Sequence, residues 1–250
     1  MAKYEIKNGV GIIPEGTTCI QDYAFQGCKE LKSVVIPTSV ICIGQCAFEG
    51  CTGLTKIEIP TSVTTVKWRA FFGCTGLTEF VIPNNVTSFS WSALDGCNNL
   101  ATVTIGNGIT EIGDYAFQNT KSLTKVVIGN KVEIIGQCAF EGCTGLTKME
   151  IPASVTTIKW RAFWGCTCLN DIVIYGATAS ISSSALSETA WCKNQPDGVV
   201  YVGKVVYEYK GKMPENTSIV IKEGTLGIVS GAFSGCSGLK SIVIPKSITS

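Results

Sequence analysis

A 23-residue period runs through this chain and constrains its fold more than any other feature. Ala24, Ala47, Ala70, Ala93, Ala116, Ala139, Ala162 and Ala185 stand 23 apart, and Ala232 resumes the column. Phe follows each Ala, except where Leu94 and Leu186 stand in. A second column, of Ile, recurs at 13, 36, 59, 82, 105, 128, 151, 174, 221 and 244. A fixed period of about 20–30 residues marks a solenoid, in which each repeat is one coil stacked on its neighbours. A length of 250 residues would otherwise suggest two domains, but a solenoid lengthens without dividing its core.

Each regular coil reads in four parts. An apolar pair (Val63, Val66) precedes a tight turn over 67–74, then Leu77, then a strand over 78–82 closed by Pro83. Alternation along the strand predicts Phe80 and Ile82 inward and Glu79 and Val81 outward. Gly27, Gly50, Gly73, Gly96, Gly142, Gly165 and Gly235 share a turn column that suits a left-handed backbone. Asn119 tolerates that conformation in the same column, whereas Glu188 adopts it only at a cost. The turn is too short for more than a helical turn or two. The expectation is parallel strands on one face and short turns on the other.

Thirteen cysteines are present. Cys28, Cys51, Cys74, Cys97, Cys143, Cys166 and Cys236 occupy one column, with Thr120 and Thr189 in the same place. Beside the Phe and Leu columns this position faces the core, where Cys acts as a small hydrophobe. These thiols are expected to be buried and reduced, because column neighbours point the same way and offer poor disulfide geometry. Cys42, Cys46 and Cys51 are spaced like metal ligands, but each belongs to a different column, as do Cys166 and Cys168. A thiolate site needs four converging ligands, so no metal and no cofactor is expected.

Other chemistry is scarce. The chain has no His, which removes the commonest general base and the Ser-His and Cys-His pairs. Glu58 and Glu150 share a column but lie four coils apart, roughly 19 Å at one strand spacing per coil, too far for a carboxylate pair. No phosphate-cradling Gly-rich loop occurs. The reading is a chain that is not an enzyme. A net charge of +1 without any Lys/Arg run argues against nucleic acid. No apolar run approaches the roughly 18–20 residues of a membrane helix, so no membrane insertion of this segment is expected. Two glycosylation sequons, Asn85-Val86-Thr87 and Asn216-Thr217-Ser218, matter only in a secretory pathway. The N-terminal MAKYEIKNGVG lacks a secretory pattern, and IPKSITS stops inside a repeat with no atypical cap, as expected of a piece trimmed from something longer.

The consensus LxxLxIPxSVxxIGxxAFxGCxxL resembles the 23-residue leucine-rich repeat of the BspA type, also called the Treponema type. The likeness covers nearly the whole chain. It implies a right-handed leucine-rich-repeat solenoid of about ten coils, mostly β, with parallel strands on the concave face and short turns or helical turns opposite. It further implies a cell-surface or extracellular protein that binds or adheres to a protein ligand: a host or matrix protein, or another cell surface. The alternative is a structural spacer or self-associating segment of a longer surface protein.

Two departures from the period carry information. Residues 43–71 match 135–163 at 26 of 29 positions, an offset of 92 residues or four coils. Surface residues such as Arg69 and Arg161 repeat with the core ones, which points to duplication of a four-coil block. The second departure falls between Ala185 and Ala232, a gap one residue longer than two coils. There, two β-rich runs over 199–211 flank Gly203-Lys204, predicting a two-residue hairpin turn. Trp191, Tyr201, Tyr207 and Tyr209 cluster there, as in an insert that seals an imperfect coil. The whole chain therefore reads as one solenoid: an irregular first coil over 1–18, regular coils over 19–186, an irregular coil with a hairpin over 187–217, and resumed coils over 218–250.

Two surfaces are candidates for binding. Trp68, Trp91 and Trp160 share a turn column whose other members include Asp22, Gln45, Asp114 and Gln137. A position that accepts Asp and Gln is exposed, and exposed tryptophans are typical contact anchors. Phe72 and Trp164 sit in a nearby column, and Arg69 and Arg161 are placed to stack on the rings. The other candidate is the outward strand column of the concave face: Val35, Glu58, Val81, Thr104, Val127, Glu150 and Val173.

Overall fold

The structure is a computed structural model that describes residues 4–176 and 180–248. Its main ladder is built where the alternation placed it. Strands Ser33–Val35, Glu79–Ile82, Thr102–Ile105, Lys148–Ile151 and Asp171–Ile174 are among its rungs. Pairing is parallel and offset by one period, as in Thr102↔Glu79 and Val103↔Phe80. Over Glu79–Ile82 the residues alternate exposed and buried, with Phe80 and Ile82 inside.

The core is a stack of rings. Phe25, Phe48 and Phe71 lie 5.4 and 5.2 Å apart, and Phe117, Phe140 and Phe163 lie 5.2 and 5.4 Å apart. Leu94 interrupts this column, and Phe80 and Phe89 of the same coil fill the gap, with rings 6.3 Å apart. Phe80 meets Phe71 edge-on at 5.0 Å, and Phe89 meets Phe117 at 6.4 Å. Two inward columns thus restore the volume that a third gives up, which keeps the interior close-packed.

The opposite face is more ordered than a run of turns. The apolar pair of each coil includes a two-residue strand, and these form a second parallel ladder. One sheet joins Cys19–Ile20, Cys42–Ile43, Thr65–Val66 and Ser88–Phe89; another joins Glu111–Ile112, Ile134–Ile135, Thr157–Ile158 and Ser180–Ile181. Two-residue strands fall below the length at which alternation can be recognised. The turns stack too. Tyr23, Phe25 and Gly27 N–H donate to Gln45, Ala47 and Glu49 of the next coil at 2.7–2.8 Å. Among the described residues the only helix is Ala190–Lys193, inside the irregular coil.

Each turn contains two left-handed residues. The Gly column is one of them, with Asn119 at φ 57° and Glu188 at φ 64°. The other precedes the Ala column and is mostly not glycine: Tyr23, Cys46, Arg69, Ser92, Tyr115, Cys138, Arg161 and Ser184 lie between φ 51° and 61°. Ala24 N–H bonds back to Gln21 carbonyl and Cys28 N–H to Phe25 carbonyl, so Tyr23 and Gly27 are the third residues of tight turns. A positive φ there is the mark of a type II turn. A side chain at such a position costs on the order of 1–2 kcal/mol, and the stacked backbone bonds of the turn ladder hold it there.

The ladders have seams. The second ladder breaks between Ser88–Phe89 and Glu111–Ile112, where one four-coil block meets the next. Ile134 and Gly136 N–H donate to Thr110 and Ile112 carbonyls of the preceding coil, but Glu111 and Gly113 make no equivalent bond to Thr87 and Phe89. The main ladder breaks after Lys56–Ile57 and after Lys125–Val127.

Both irregular regions are hairpins. Ile6–Lys7 pairs antiparallel with Val10–Ile12 around Asn8-Gly9, both at positive φ. This hairpin closes the first coil, and Tyr4 caps the Phe stack 5.6 Å from Phe25. Asn-Gly is the strongest short hairpin signal, and it stands in plain view at positions 8–9. The second hairpin pairs Gly198–Val202 with Val205–Lys210 across Gly203 at φ 56°, where the β-rich runs placed it. Its return strand pairs in parallel with Gly227–Ile228 and so stands in for the coil's second-ladder strand. Tyr207 is buried, and its hydroxyl accepts from Leu186 N–H at 2.9 Å, sealing the interrupted coil.

Candidate functional site

The left-handed turn position aims the aromatic cluster. At φ 52° Arg69 turns its side chain across the outside of the turn stack. Its guanidinium lies 3.6 Å from the Phe72 ring centroid and 5.2 Å from that of Trp68. Glu49 of the preceding coil takes it at 3.0 Å. The cluster repeats four coils on: Arg161, at φ 53°, sits 3.8 Å from Trp164 and 5.0 Å from Trp160, with Glu141 at 3.8 Å. Phe72 and Trp164 are half-buried and carry the closer stacking, so the Arg side chains rest mainly on them rather than on the column tryptophans. Such a contact is worth roughly 0.5–2 kcal/mol, depending on its exposure.

Trp68, Trp91 and Trp160 are 41%, 59% and 43% exposed, in keeping with the polar membership of their column. Those polar mates have bonds of their own. Asp22 and Asp114 carboxylates accept from Gln45 and Gln137 N–H at 2.8 and 2.7 Å. The Gln45 and Gln137 amides in turn donate to Tyr23 and Tyr115 hydroxyls.

The structure brings two of the three tryptophans together. Trp68 and Trp91 wall an open groove of about 620 Å³ whose lining includes Thr87, Ser88, Ser90, Thr110 and Glu111. It lies on the seam of the second ladder. A Cβ at Gly113 would stand 3.2 Å from Trp91 Cδ1, so the glycine makes room for the indole. Trp160 is three coils further on, roughly 14 Å at one strand spacing per coil, and forms a separate cluster with Arg161 and Trp164. Glu49, Glu141 and Gly113 are parts of these clusters that sequence reasoning did not pick out. The 92-residue offset repeats the two glutamates along with the arginines, which was the available signal.

The strand face carries the second candidate. Val35, Val81 and Val127 are 71%, 55% and 44% exposed. Glu58, Thr104 and Glu150 are exposed as well, whereas Val173 is half-buried. Glu58 and Glu150 pair with Lys56 and Lys148, two residues before them in the chain, at 2.8 Å. Fully solvated pairs of this kind contribute little to stability. Grooves of about 500 and 380 Å³ cross this face beside Val35 and Val81.

The column cysteines are free, and six of the seven are buried; Cys236, near the end of the described chain, is half-buried. Cys51, Cys74, Cys97, Cys143 and Cys166 donate S–H to the Phe-column carbonyl one coil back, at 2.9–3.2 Å. Thr120 and Thr189 keep a hydroxyl bond in the same place, to Phe117 and Leu186 of their own coils. Burial pushes Cys51 and Cys97 up to about 12 and holds Cys74 and Cys143 well above the usual thiol range. Cys46 and Cys138, which share the left-handed turn column before Ala, are also buried. Among the described residues no group of three or more His, Cys, Asp and Glu is placed to hold a metal, and no helix is long and apolar enough to cross a membrane.

Comparison with known proteins agrees with this architecture. A family profile described as BspA type Leucine rich repeat region matches residues 10–124, 110–207 and 206–250, in six copies. A leucine rich cell surface protein from Faecalibacterium prausnitzii is 27% identical over 93% of this chain, with a TM-score of 0.59. The chain spans 66% of that protein's length. The T. pallidum Leucine Rich Repeat protein is also 27% identical, over 72% of each chain, with a TM-score of 0.50. A search of curated proteins finds no match.

Proposed function

The chain belongs to the BspA-type leucine-rich repeat family, and on that premise we propose that it is a non-enzymatic protein-binding module of a cell-surface protein. It works by rigid display: the stacked coils fix a long surface before the ligand arrives, which lowers the ordering cost of binding. The observation that carries this reading is the exposure of Trp68, Trp91 and Trp160 in a column that elsewhere holds polar residues. Indoles left in water are anchors for a partner, and two of them, Trp68 and Trp160, sit beside guanidiniums already clamped by Glu49 and Glu141. The surface setting is supported by the F. prausnitzii relative, which is a leucine rich cell surface protein. Adhesion to a host or matrix protein, or to another cell, is the role such a surface suits.

The test is an array of extracellular-matrix proteins probed with the wild type and two double variants. Trp68→Gln with Trp160→Gln removes one indole from each cluster; both positions are exposed, so the fold is retained. Its affinity should fall by at least about 2 kcal/mol, the scale of an interface hot spot. Val81→Lys with Val127→Lys should leave binding unchanged. The reverse outcome would place the contact on the strand face, and unfolding of the Trp variant would make the indoles packing residues.

A further inference from the structure

Cys19 and Cys42 differ from every other cysteine pair among the described residues. They are register partners in the second ladder. Their Cα atoms are therefore one strand spacing apart, about 4.8 Å, inside the 4.4–6.8 Å range that a disulfide spans. Both face outward and are half-buried, not sealed in the core. The Cys19 thiol is near enough to add to the burial that pushes Cys42 up to about 11. The core-column thiols are neighbours as well, but Cys51, Cys74 and Cys97 are each held by a carbonyl in close packing. Cys19 makes only a long 3.6 Å contact, to Ile20 carbonyl.

We propose that Cys19 and Cys42 form an oxidisable pair, whose disulfide staples the first regular coil to the second. The strands that carry them are two residues long, so the small approach of the Cβ atoms that parallel side chains require falls on short, surface elements. The step is thiol–disulfide exchange with a small-molecule disulfide such as oxidised glutathione. One protein thiolate attacks a glutathione sulfur and expels one glutathione thiolate. The second protein thiolate attacks the resulting mixed disulfide and expels the other. Two S–H bonds are lost from the protein and one S–S bond is gained. The oxidant's S–S bond is lost, and both protons end on the two released glutathiones.

Lys67 ion-pairs with Asp22 at 3.4 Å and lies close enough to Cys42 to favour its thiolate. Burial and the Cys19 thiol work the other way, so exchange is slow at neutral pH and quicker in mild alkali. The bond would close a 23-residue loop at the outer edge of the second ladder, where Cys19–Ile20 is paired on one side only.

The experiment incubates the native protein with oxidised glutathione at about pH 8.5, conditions that favour thiolates. The expected result is a loss of two hydrogens, with tryptic peptides 8–29 and 33–56 joined through Cys19 and Cys42. The melting temperature should rise by about 5 °C, reversibly on reduction. A Cys42→Ser variant should lose the cross-link and collect one glutathione on Cys19. Separate glutathione adducts on Cys19 and Cys42 of the wild type, no reaction at either residue, or a cross-link between other cysteines would each overturn the proposal.

Discussion

The guanidinium of Arg69 is held between the Phe72 ring, 3.6 Å below it, and the Glu49 carboxylate of the preceding coil, 3.0 Å away. Arg161 repeats the arrangement with Trp164 and Glu141. Both arginines have the left-handed backbone that side chains avoid, so the contacts offset a local strain. Arg69→Ala keeps the strain and removes the contacts. It should cost about 1–3 kcal/mol in urea unfolding. Arg69→Gly relieves the strain and should cost less, by about 1 kcal/mol. An Ala variant as stable as the Gly variant would show that the backbone position carries no strain.

The ring stack makes two opposite expectations for one column. Phe48 is stacked on both sides and fully buried, so Phe48→Ala should cost roughly 3–5 kcal/mol. Leu94→Phe would restore the column consensus, yet Phe80 and Phe89 already fill that space. The consensus change should therefore destabilise by about 1–3 kcal/mol through overpacking. Chemical denaturation of both variants checks the pair. A stabilised Leu94→Phe would mean that the coil has an unfilled cavity.

Asp95 is a carboxyl whose burial raises it to about 6, against the pull of the Asn119 amide and of Arg69. The fold therefore holds its proton more tightly than the unfolded chain does. The group's contribution to stability declines as pH rises from about 4 to about 6, and stays at its lower value above that. Asp95→Asn should flatten this stretch of the stability–pH curve and raise stability at pH 7. The gain is about 1 kcal/mol once solvent screening of a half-exposed group is allowed for. A variant with the same pH slope as the wild type would assign the titration to another group.

The main ladder, the inward Phe column and the hairpin at 199–211 were legible because each rests on a signal the chain states many times, or on a glycine in a turn. The second ladder was hidden because two residues cannot display a period of two. The left-handed column before Ala was hidden for another reason. Tyr23, Cys46, Arg69 and Ser92 share no side-chain chemistry, and the backbone bonds of the turn stack, not the residue type, impose their conformation. Exposure of Trp68 and Trp91 followed from their polar column mates. Their meeting in one groove did not, since it depends on Gly113 and on a ladder break that no single coil encodes.

That break makes a prediction about motion. Between Phe89 and Ile112 the second ladder gives up its inter-coil bonds, while the Ala-column turns continue across, with Leu94 N–H donating to Ala116 carbonyl at 3.0 Å. The junction of the duplicated blocks is therefore bonded along one edge and open along the other. Exchange protection follows the free energy of local opening, which falls where hydrogen bonds are missing. The Glu111 and Gly113 amides should exchange with solvent at least tenfold faster than Ile134 and Gly136, their column mates one coil on. Gly113→Ala tests the cause, because its methyl would press on Trp91 and Phe89 carbonyl, 3.2 and 3.3 Å away, and widen the seam. Exchange at Glu111 should rise further in that variant while Ile134 stays unchanged. Equal protection at Glu111 and Ile134 in the wild type would mean that the two blocks are joined as firmly as any two coils within them.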